Sequence, residues 1–303
     1  MYYIFIERNQ GEINMIDGYT RTCGLIGNPV EHTLSPLIHN HLAERMGENL
    51  VYLAFHVQIG MVGEAVKGAF ALNHLGCNVT VPYKTDVLPY LVDIDPLAAR
   101  IGAVNTLVRQ ENGYKGYNTD MPGLYRAFLR DGVKVEGEEV LILGAGGVAR
   151  AVAVLLAEKG ASRIVILNRT LERAQAIADE VNTYTGGKLV EAMLLSDYGR
   201  LAGRKYLAIQ ATSVGMYPHV EDSIMEDPKF YELVHTGYDL IFNPPITKFM
   251  QMVRDSGGRA INGAQMLLYQ GIIAFELWTG KSVSDELADE VFEKMLEAMD
   301  YKR

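Results

Sequence analysis

The stretch that decides the fold is residues 139–150, which read EVLILGAGGVAR. A short apolar run ends in the small residues 144–147, and small apolar residues then continue at helical spacing. This pattern predicts a strand, a tight turn and a helix. Gly144, Gly146 and Ala149 fit the fingerprint G-x-G-x-x-(G/A) of a dinucleotide-binding turn. In that turn the second glycine lets a pyrophosphate approach the backbone, and free N–H groups of the helix face the phosphates.

The next predicted strand, residues 163–167 (RIVIL), indicates which dinucleotide binds. It runs into Asn168, Arg169 and Thr170, where such a unit meets the adenosine ribose. An NAD enzyme usually has a carboxylate there, whereas an arginine accommodates the 2′-phosphate of NADP. No carboxylate is present and Arg173 follows, so the sequence predicts NADP. A second interpretation stays open, in which Asn168 and Thr170 are turn and cap residues and Arg173 is a solvated charge.

Length and composition limit the class of protein. A chain of 303 residues predicts two domains, and 49% apolar with 21% charged residues is typical of globular proteins. The net charge of −9 argues against nucleic acid or an anionic membrane as a partner. Cys23 and Cys77 are the only cysteines, so we expect no disulfide framework and a cytoplasmic location. We recognise neither a signal peptide nor an apolar run of membrane-spanning length.

Strands and helices alternate along most of the chain. Strands are predicted at 2–6, 22–26, 51–57, 77–81, 102–108, 114–117, 140–143, 163–167, 188–195, 205–211 and 238–242, with a hairpin turn at Asn112-Gly113. Helices are predicted after Ser35 and at 60–73, 96–101, 121–129, 148–157, 263–278 and 285–299, and the sheet pattern stops after Gly258.

We therefore predict an α/β fold with two lobes. Residues 1–120 plus 259–303 form an N-terminal α/β substrate-binding domain, to which the C-terminal helices return. Residues 121–258 form a Rossmann-like NADP-binding domain. The cleft between the lobes is the expected active site.

Polar residues in the first half have structural interpretations, and some of them also suit a ligand. Ser35 followed by Pro36 is a good helix start, but the hydroxyls of Thr33 and Ser35 at a loop-to-helix junction also suit a carboxylate ligand. Lys84 follows a strand end, where open α/β sheets place ligands, although most lysines are solvated. Asp120 stands before a predicted helix and is a candidate cap.

Together the motifs resemble the shikimate dehydrogenase family, which includes quinate/shikimate dehydrogenases. The resemblance covers nearly the whole chain beyond residue 20 and rests on eight motifs in family order: LSPLIHN, NVTVPYK, GAVNT, YNTD, GAGGVARA, NRT, ATSVGM and NGAQMLLYQG. It implies reversible reduction of 3-dehydroshikimate to shikimate with NADPH, in the pathway to chorismate and the aromatic amino acids. Members of this family occur as monomers and homodimers, and no metal is expected.

The resemblance also implies the role of individual residues. Lys84 matches the catalytic lysine, and Asp120 matches its carboxylate partner. The substrate-binding positions are Thr33, Ser35, Thr80, Asn105, Phe242 and Gln270. The cofactor-binding positions are Gly144, Ala145, Gly146, Gly147, Asn168, Arg169, Thr170, Arg173, Thr212, Gly263 and Met266.

These roles agree with the chemistry that oxidation of a secondary alcohol requires. The nicotinamide accepts a hydride, while the protein supplies orientation and a group that takes the hydroxyl proton. We hypothesise that Lys84 is the proton shuttle and Asp120 its orienting partner; a water relay stays open.

Three positions depart from the family pattern. Thr33 replaces a usual serine, Phe242 a common tyrosine, and Gln210 a usual asparagine. Thr33 and Phe242 keep open a second hypothesis, an enzyme acting on quinate or a related cyclohexane carboxylate. A third hypothesis is a non-catalytic NADP-binding regulator, against which the presence of both Lys84 and Asp120 argues.

Overall fold

A computed structural model describes residues 16–201 and 203–300. The strand predicted at 2–6 lies outside these described residues. Contacts between Cα atoms divide the chain into two compact units. The first contains residues up to Tyr117 together with Ala274–Ala298, and the second contains Asn118–Ile273.

The elements alternate as an α/β fold requires. The strands are β1 (Arg21–Gly27), β2 (Leu50–His56), β3 (Gly76–Val79), β4 (Asp93–Ile94), β5 (Thr106–Gln110), β6 (Gly113–Tyr117), β7 (Glu139–Leu143), β8 (Arg163–Asn168), β9 (Val190–Leu194), β10 (Tyr206–Gln210), β11 (Val234–Asp239) and β12 (Arg259–Ile261). The helices are α1 (Ser35–Arg45), α2 (Val62–Ala71), α3 (Pro96–Ile101), α4 (Asp120–Arg130), α5 (Gly147–Glu158), α6 (Leu171–Thr185), α7 (Pro228–Tyr231), α8 (Lys248–Asp255), α9 (Ala264–Thr279) and α10 (Asp285–Asp300).

The first unit is built on a mixed sheet in the order β2-β1-β3-β5-β6-β4. β1 is parallel to β2 and β3, whereas β5 is antiparallel to β3 and β6. The predicted hairpin between β5 and β6 is confirmed, but its two turn residues are Glu111 and Asn112, one position earlier than predicted, because Gly113 already pairs with Gln110. On one face of the sheet, buried side chains of α2 and α3 such as Val66 and Ala98 pack against Val79 and Leu107.

Local signals place α3 where the sequence predicts it. The Asp95 carboxylate accepts a hydrogen bond from the backbone N–H of Leu97 at 3.0 Å, and Pro96 is the first helical residue. Gly102 ends the helix with a φ of +72°, a left-handed conformation that glycine adopts without steric cost.

The second unit is built on a parallel sheet in the order β12-β11-β10-β7-β8-β9. The strand order reverses between β7 and β10, and this reversal is where doubly wound sheets bind ligands. The buried residues Leu141 and Ile142 explain the continuous apolar run of β7, since helices cover both faces of such a sheet.

Two predictions about this sheet were wrong. β11 occupies Val234–Asp239 rather than 238–242, so Phe242 lies beyond the strand end. β12 follows Gly258, where we expected the sheet pattern to stop. β12 has only three residues, too few to show a strand period, and its pairing with β11 places it in the sheet.

The described part of the chain contains no helix that is both long enough and apolar enough to cross a membrane.

Candidate active site

The glycine-rich turn of the second unit lies between β7 and α5. Gly144 has a φ of +107°, and a Cβ atom there would lie 2.4 Å from Cγ2 of Thr212, so only glycine fits. By contrast, a Cβ atom on Gly146 or Gly147 would meet no atom within 4 Å. α5 begins at Gly147 without a side-chain cap, so the N–H groups of its first turn are available to an anion. This turn fits the pyrophosphate of a dinucleotide.

The turn after β8 carries the residues predicted to meet the ribose. Nδ2 of Asn168 donates to the backbone oxygen of Thr170 at 2.9 Å, so Asn168 does shape the turn. Thr170 precedes α6, but its hydroxyl makes no capping hydrogen bond. Arg169 and Arg173 are exposed, and neither pairs with a carboxylate among the described residues. Both cations are therefore available to a phosphate.

The loop after β10 is held by Gln210, a role that the sequence did not predict. Oε1 of this buried side chain accepts from the backbone nitrogen and the hydroxyl of Thr212, at 2.6 and 2.7 Å. Its Nε2 donates to the backbone oxygen of Val214 at 3.0 Å. The one signal in the sequence was a polar residue closing the apolar run of β10. Gln210 thus fixes Thr212 beside Gly144.

The loop after β11 is anchored by the buried carboxyl group of Asp239. It accepts from the backbone nitrogen of Ile241 at 3.0 Å and from the hydroxyl of Thr247 at 2.5 Å. Burial raises the pKa of Asp239 to about 6, although both hydrogen bonds lower it. This loop carries Phe242, which is half-buried.

Gly263 joins that loop to the start of α9, which carries Met266. Its nitrogen donates to the backbone oxygen of Ile241 at 3.0 Å, and a Cβ atom would lie 2.3 Å from the backbone oxygen of Leu240. The structure therefore places Phe242 and Gly263 in adjoining segments.

Asp120 is the first residue of α4, and the N-cap residue is Thr119. The helix begins one residue before its predicted start, so Asp120 is not the cap. A carboxylate in the first turn is stabilised by the helix dipole. A Cβ atom on Gly123, one turn along α4, would lie 2.6 Å from the backbone nitrogen of Gln270 in α9. α4 and α9 therefore cross closely between Asp120 and Gln270.

In the first unit, Thr33 and Ser35 form a hydroxyl pair at the start of α1. The Thr33 hydroxyl donates to Oγ of Ser35 and accepts from the Ser35 backbone nitrogen, both at 3.1 Å. The N-cap residue is Leu34, and Ser35 makes no capping bond. The interpretation of Ser35 as the cap was therefore wrong, because Thr33 satisfies the N–H group of Ser35 itself.

Thr80, Lys84 and Asn105 are brought together beyond the carboxyl end of β3. The backbone oxygen of Lys84 accepts from Val104 at 2.8 Å, and that of Asn105 accepts from Val79 at 2.8 Å. Asn105 is buried, whereas Thr80 and Lys84 are half-buried. The neighbouring segments of chain thus hold these three residues at one end of the sheet.

Tyr52 and Asn78 of this unit are buried polar residues to which the sequence assigned no role. The hydroxyl of Tyr52 donates to Oδ1 of Asn78 at 2.8 Å, and Asn78 in turn bonds Thr106. Asn78 was quoted within NVTVPYK, but no local pattern distinguishes it from an exposed asparagine. Among the described residues, no group of three or more His, Cys, Asp or Glu is arranged to hold a metal ion.

The second unit is a Rossmann-type dinucleotide-binding fold, since a parallel sheet in this order carries a glycine-rich turn at its reversal point. Three family models match the chain: "Shikimate dehydrogenase substrate binding domain" over residues 25–107, "Shikimate / quinate 5-dehydrogenase" over 129–228, and "Shikimate 5'-dehydrogenase C-terminal domain" over 263–290.

Similar proteins agree with these models. The shikimate dehydrogenase (NADP(+)) of Moorella thermoacetica is 43% identical over 283 residues, which cover 92% of this chain and 95% of that protein. A crystal structure of a shikimate dehydrogenase in complex with NADP+ is 37% identical, with a TM-score of 0.83, and covers 93% of this chain and 97% of its own. The Listeria monocytogenes shikimate 5-dehydrogenase, solved with shikimate and NAD, is 32% identical with a TM-score of 0.85. The match covers 92% of this chain and 98% of that one.

The chain belongs to the shikimate dehydrogenase family. This confirms the family resemblance and the α/β fold expected from the sequence.

Proposed function

We propose that this protein is an NADP-dependent shikimate dehydrogenase. It catalyses the reversible reduction of 3-dehydroshikimate to shikimate, in the pathway to chorismate and the aromatic amino acids. The observation that carries the proposal is the second unit's cofactor site, where an uncapped glycine-rich turn lies at the reversal of the sheet. Two arginines that pair with no carboxylate of the described residues follow β8.

NADP(H) supplies or accepts the hydride, and the second unit holds it. The backbone of the turn between β7 and α5 binds the pyrophosphate, and the arginines after β8 bind the 2′-phosphate. The loops after β10 and β11 and the start of α9 would hold the nicotinamide. The residues assigned to the cofactor are Gly144, Ala145, Gly146, Gly147, Asn168, Arg169, Thr170, Arg173, Thr212, Gly263 and Met266.

The substrate is bound by hydroxyl and amide groups. The hydroxyls of Thr33 and Ser35 bind the carboxylate, because they are adjacent and located at a helix start. Thr80, Asn105 and Gln270 bind ring hydroxyls. Phe242 lines the site without the hydroxyl that a tyrosine would supply.

Lys84 moves the proton. When shikimate is oxidised, Nζ of Lys84 in its unprotonated form would take the proton of the reacting hydroxyl, and bound NADP would accept the hydride from the same carbon. In the reverse direction, Lys84 returns that proton to the carbonyl oxygen. Asp120 orients the lysine, and a water relay between lysine and substrate is the alternative.

We assign residues 1–120 plus 259–303 to the substrate-binding domain and 121–258 to the NADP-binding domain. The contact division differs at 118–120, at 259–273 and after Ala298, which it groups with the second unit. Hydrogen exchange should show NADP protecting mainly residues of 121–258, with Gly263 and Met266 as the exceptions, and shikimate protecting mainly its binding positions in the other domain. We further propose a cytoplasmic protein, since Cys23 and Cys77 are buried free thiols, and a monomer or homodimer.

The test is the rate of reduced-cofactor formation with shikimate or quinate, each paired with NADP or NAD. Fast turnover with shikimate and NADP supports the proposal. Preference for quinate would favour the second candidate, which Thr33 supports because its methyl group lies where a family serine has none. Preference for NAD would reject the 2′-phosphate role of Arg169. Absence of turnover with all four pairs, in a protein that still binds NADP, would favour a non-catalytic regulator.

A further inference from the structure

Four buried polar residues of the first unit form a directed chain of hydrogen bonds. The Tyr52 hydroxyl donates to Oδ1 of Asn78 at 2.8 Å. Nδ2 of Asn78 donates to the Thr106 hydroxyl at 3.0 Å, and that hydroxyl donates to Oδ1 of Asn105 at 3.1 Å. The chain ends on a residue proposed above to bind the substrate.

The backbone determines the direction of this chain. The side-chain nitrogen of Asn78 also lies 3.3 Å from the backbone oxygen of Asn105, and a carbonyl oxygen only accepts hydrogen bonds. The amide of Asn78 must therefore turn its nitrogen toward β5 and its oxygen toward Tyr52. Because the Thr106 hydroxyl accepts from that nitrogen, its single proton is left to donate to Asn105.

The sheet and α1 hold the members of the chain in place. Asn78 and Thr106 are opposite each other in the antiparallel pair β3–β5, so their side chains share one face. Tyr52 exchanges two hydrogen bonds with the side chain of Asn40, at 2.7 and 3.0 Å, and its ring stacks on His39 with centroids 4.2 Å apart. Residues far apart in sequence thus converge on one amide.

We propose that Tyr52, Asn78 and Thr106 are positioning residues for the amide of Asn105. They keep its oxygen turned toward the Thr106 hydroxyl and its nitrogen presented to a ring hydroxyl of the substrate. The inference rests on the proposed function, in which Asn105 binds substrate. An amide whose oxygen accepts a defined hydrogen bond keeps one of its two flipped orientations. Without the Thr106 proton, Oδ1 of Asn105 loses this hydrogen bond, and the orientation that presents the nitrogen to the substrate is less strongly favoured.

The test replaces Thr106 by Val, which has nearly the same shape but no hydroxyl, and by Ser, which restores it. We expect Thr106→Val to raise KM for shikimate about tenfold, a typical loss for one hydrogen bond, and to leave KM for NADP unchanged. Thr106→Ser should return KM for shikimate to within about twofold of the parent value. A merely structural role would raise the KM for NADP as well and would not separate the two substrates.

A double-mutant cycle with Asn105→Ala tests whether Thr106 acts through Asn105. We expect Thr106→Val to add nothing to KM once the Asn105 amide is absent. An undiminished effect in that background, or a normal KM in Thr106→Val itself, would overturn the inference while leaving the proposed function intact. A normal KM in Asn105→Ala would reject its substrate role and the inference with it. Absence of shikimate turnover by the parent chain would reject the proposed function first.

Tyr52→Phe provides a second variant if Thr106→Val fails to fold. It removes the first donor of the chain and keeps the ring that stacks on His39. We expect KM for shikimate to rise about threefold, because the effect is passed on through two intervening side chains. A parent-like KM in this variant, at unchanged melting temperature, would exclude Tyr52 from the positioning chain.

Discussion

Gly123 of α4 lies against the backbone of Gln270 in α9, so closely that a Cβ atom on Gly123 would be 2.6 Å from its nitrogen and 2.8 Å from its Cα. Real Cβ atoms do not approach backbone this closely, so any other residue at 123 must push the two helices apart. Since Asp120 lies one turn before Gly123, this crossing sets the distance between a proposed catalytic residue and a proposed substrate ligand.

Gly123→Ala should therefore lower both stability and substrate affinity. We expect a loss of about 1–3 kcal/mol in unfolding free energy from overpacking, with a raised KM for shikimate. Gly68→Ala is the matched control, because a Cβ atom at this glycine of α2 would meet no atom within 4 Å. That variant should be more stable by about 0.5–1 kcal/mol. Equal melting temperatures for the two variants would contradict the packing argument.

Gln210→Met should release the loop that contains Thr212. The substitution keeps the length of the side chain but leaves three polar groups of Thr212 and Val214 without their partner. We expect a weaker Kd for NADP and a lower melting temperature, since each unsatisfied group costs about 1–3 kcal/mol where it is buried. Calorimetric titration with NADP measures the first effect. Unchanged binding would show that this loop does not depend on Gln210.

Arg169→Ala should weaken NADP binding about 10- to 100-fold and leave NAD binding unchanged, because only NADP carries the 2′-phosphate that the guanidinium binds. Arg254→Ala, at an exposed arginine of α8, is the control and should bind both cofactors normally. If Arg169→Ala weakened NAD binding as much as NADP binding, the residue would support the turn and would not bind the 2′-phosphate.

Lys84→Ala should reduce kcat by roughly 10²- to 10⁴-fold, the usual contribution of a positioned acid–base group. The Kd for NADP should be unaffected. Lys67→Ala removes an exposed lysine of α2 from the same unit and should retain full activity. Near-normal turnover by Lys84→Ala would reject the role of Lys84 as proton shuttle.

His39 should make the stability of the protein depend on pH. Burial lowers the pKa of this histidine to about 3, although the nearby Asn78 side chain acts to raise that pKa. Neither ring nitrogen has a hydrogen-bond partner among the described residues. Since an unfolded histidine titrates near 6.5, the unfolded chain binds more protons between about pH 6.5 and 3, and stability falls as pH falls. At pH 4 the loss is about 3 kcal/mol.

Denaturant unfolding of the parent and of His39→Phe at pH 7 and pH 4 measures this loss. The parent should lose more stability than the variant, which keeps a ring against Tyr52. Asp239 has the opposite effect on stability, because a raised pKa favours the folded state as pH falls. This contribution is the same in the parent and the variant, so it cancels in the comparison. Equal losses in the two proteins would contradict the buried, neutral state of His39.

The sequence by itself determined the family and the Rossmann-type turn and predicted NADP as the cofactor, because these depend on residues close together in the chain. The run from β7 through Gly144 into α5 is recognisable from strand, turn and helix patterns alone, and so is the absence of a carboxylate after β8. Asp95, Pro96 and Gly102 likewise delimit α3 through contacts with their immediate neighbours.

Only the tertiary structure decided how distant residues meet. The pairing of β12 with β11, the contact of Gly123 with Gln270, and the hydrogen bonds from Tyr52 through Asn78 to Asn105 join residues separated by about 20 to 150 positions. Such contacts leave no periodic pattern, because sheet register and helix crossing depend on how the whole core packs. The orientation of the Asn105 amide, and with it the proposed recognition of a ring hydroxyl, was therefore decided by the fold.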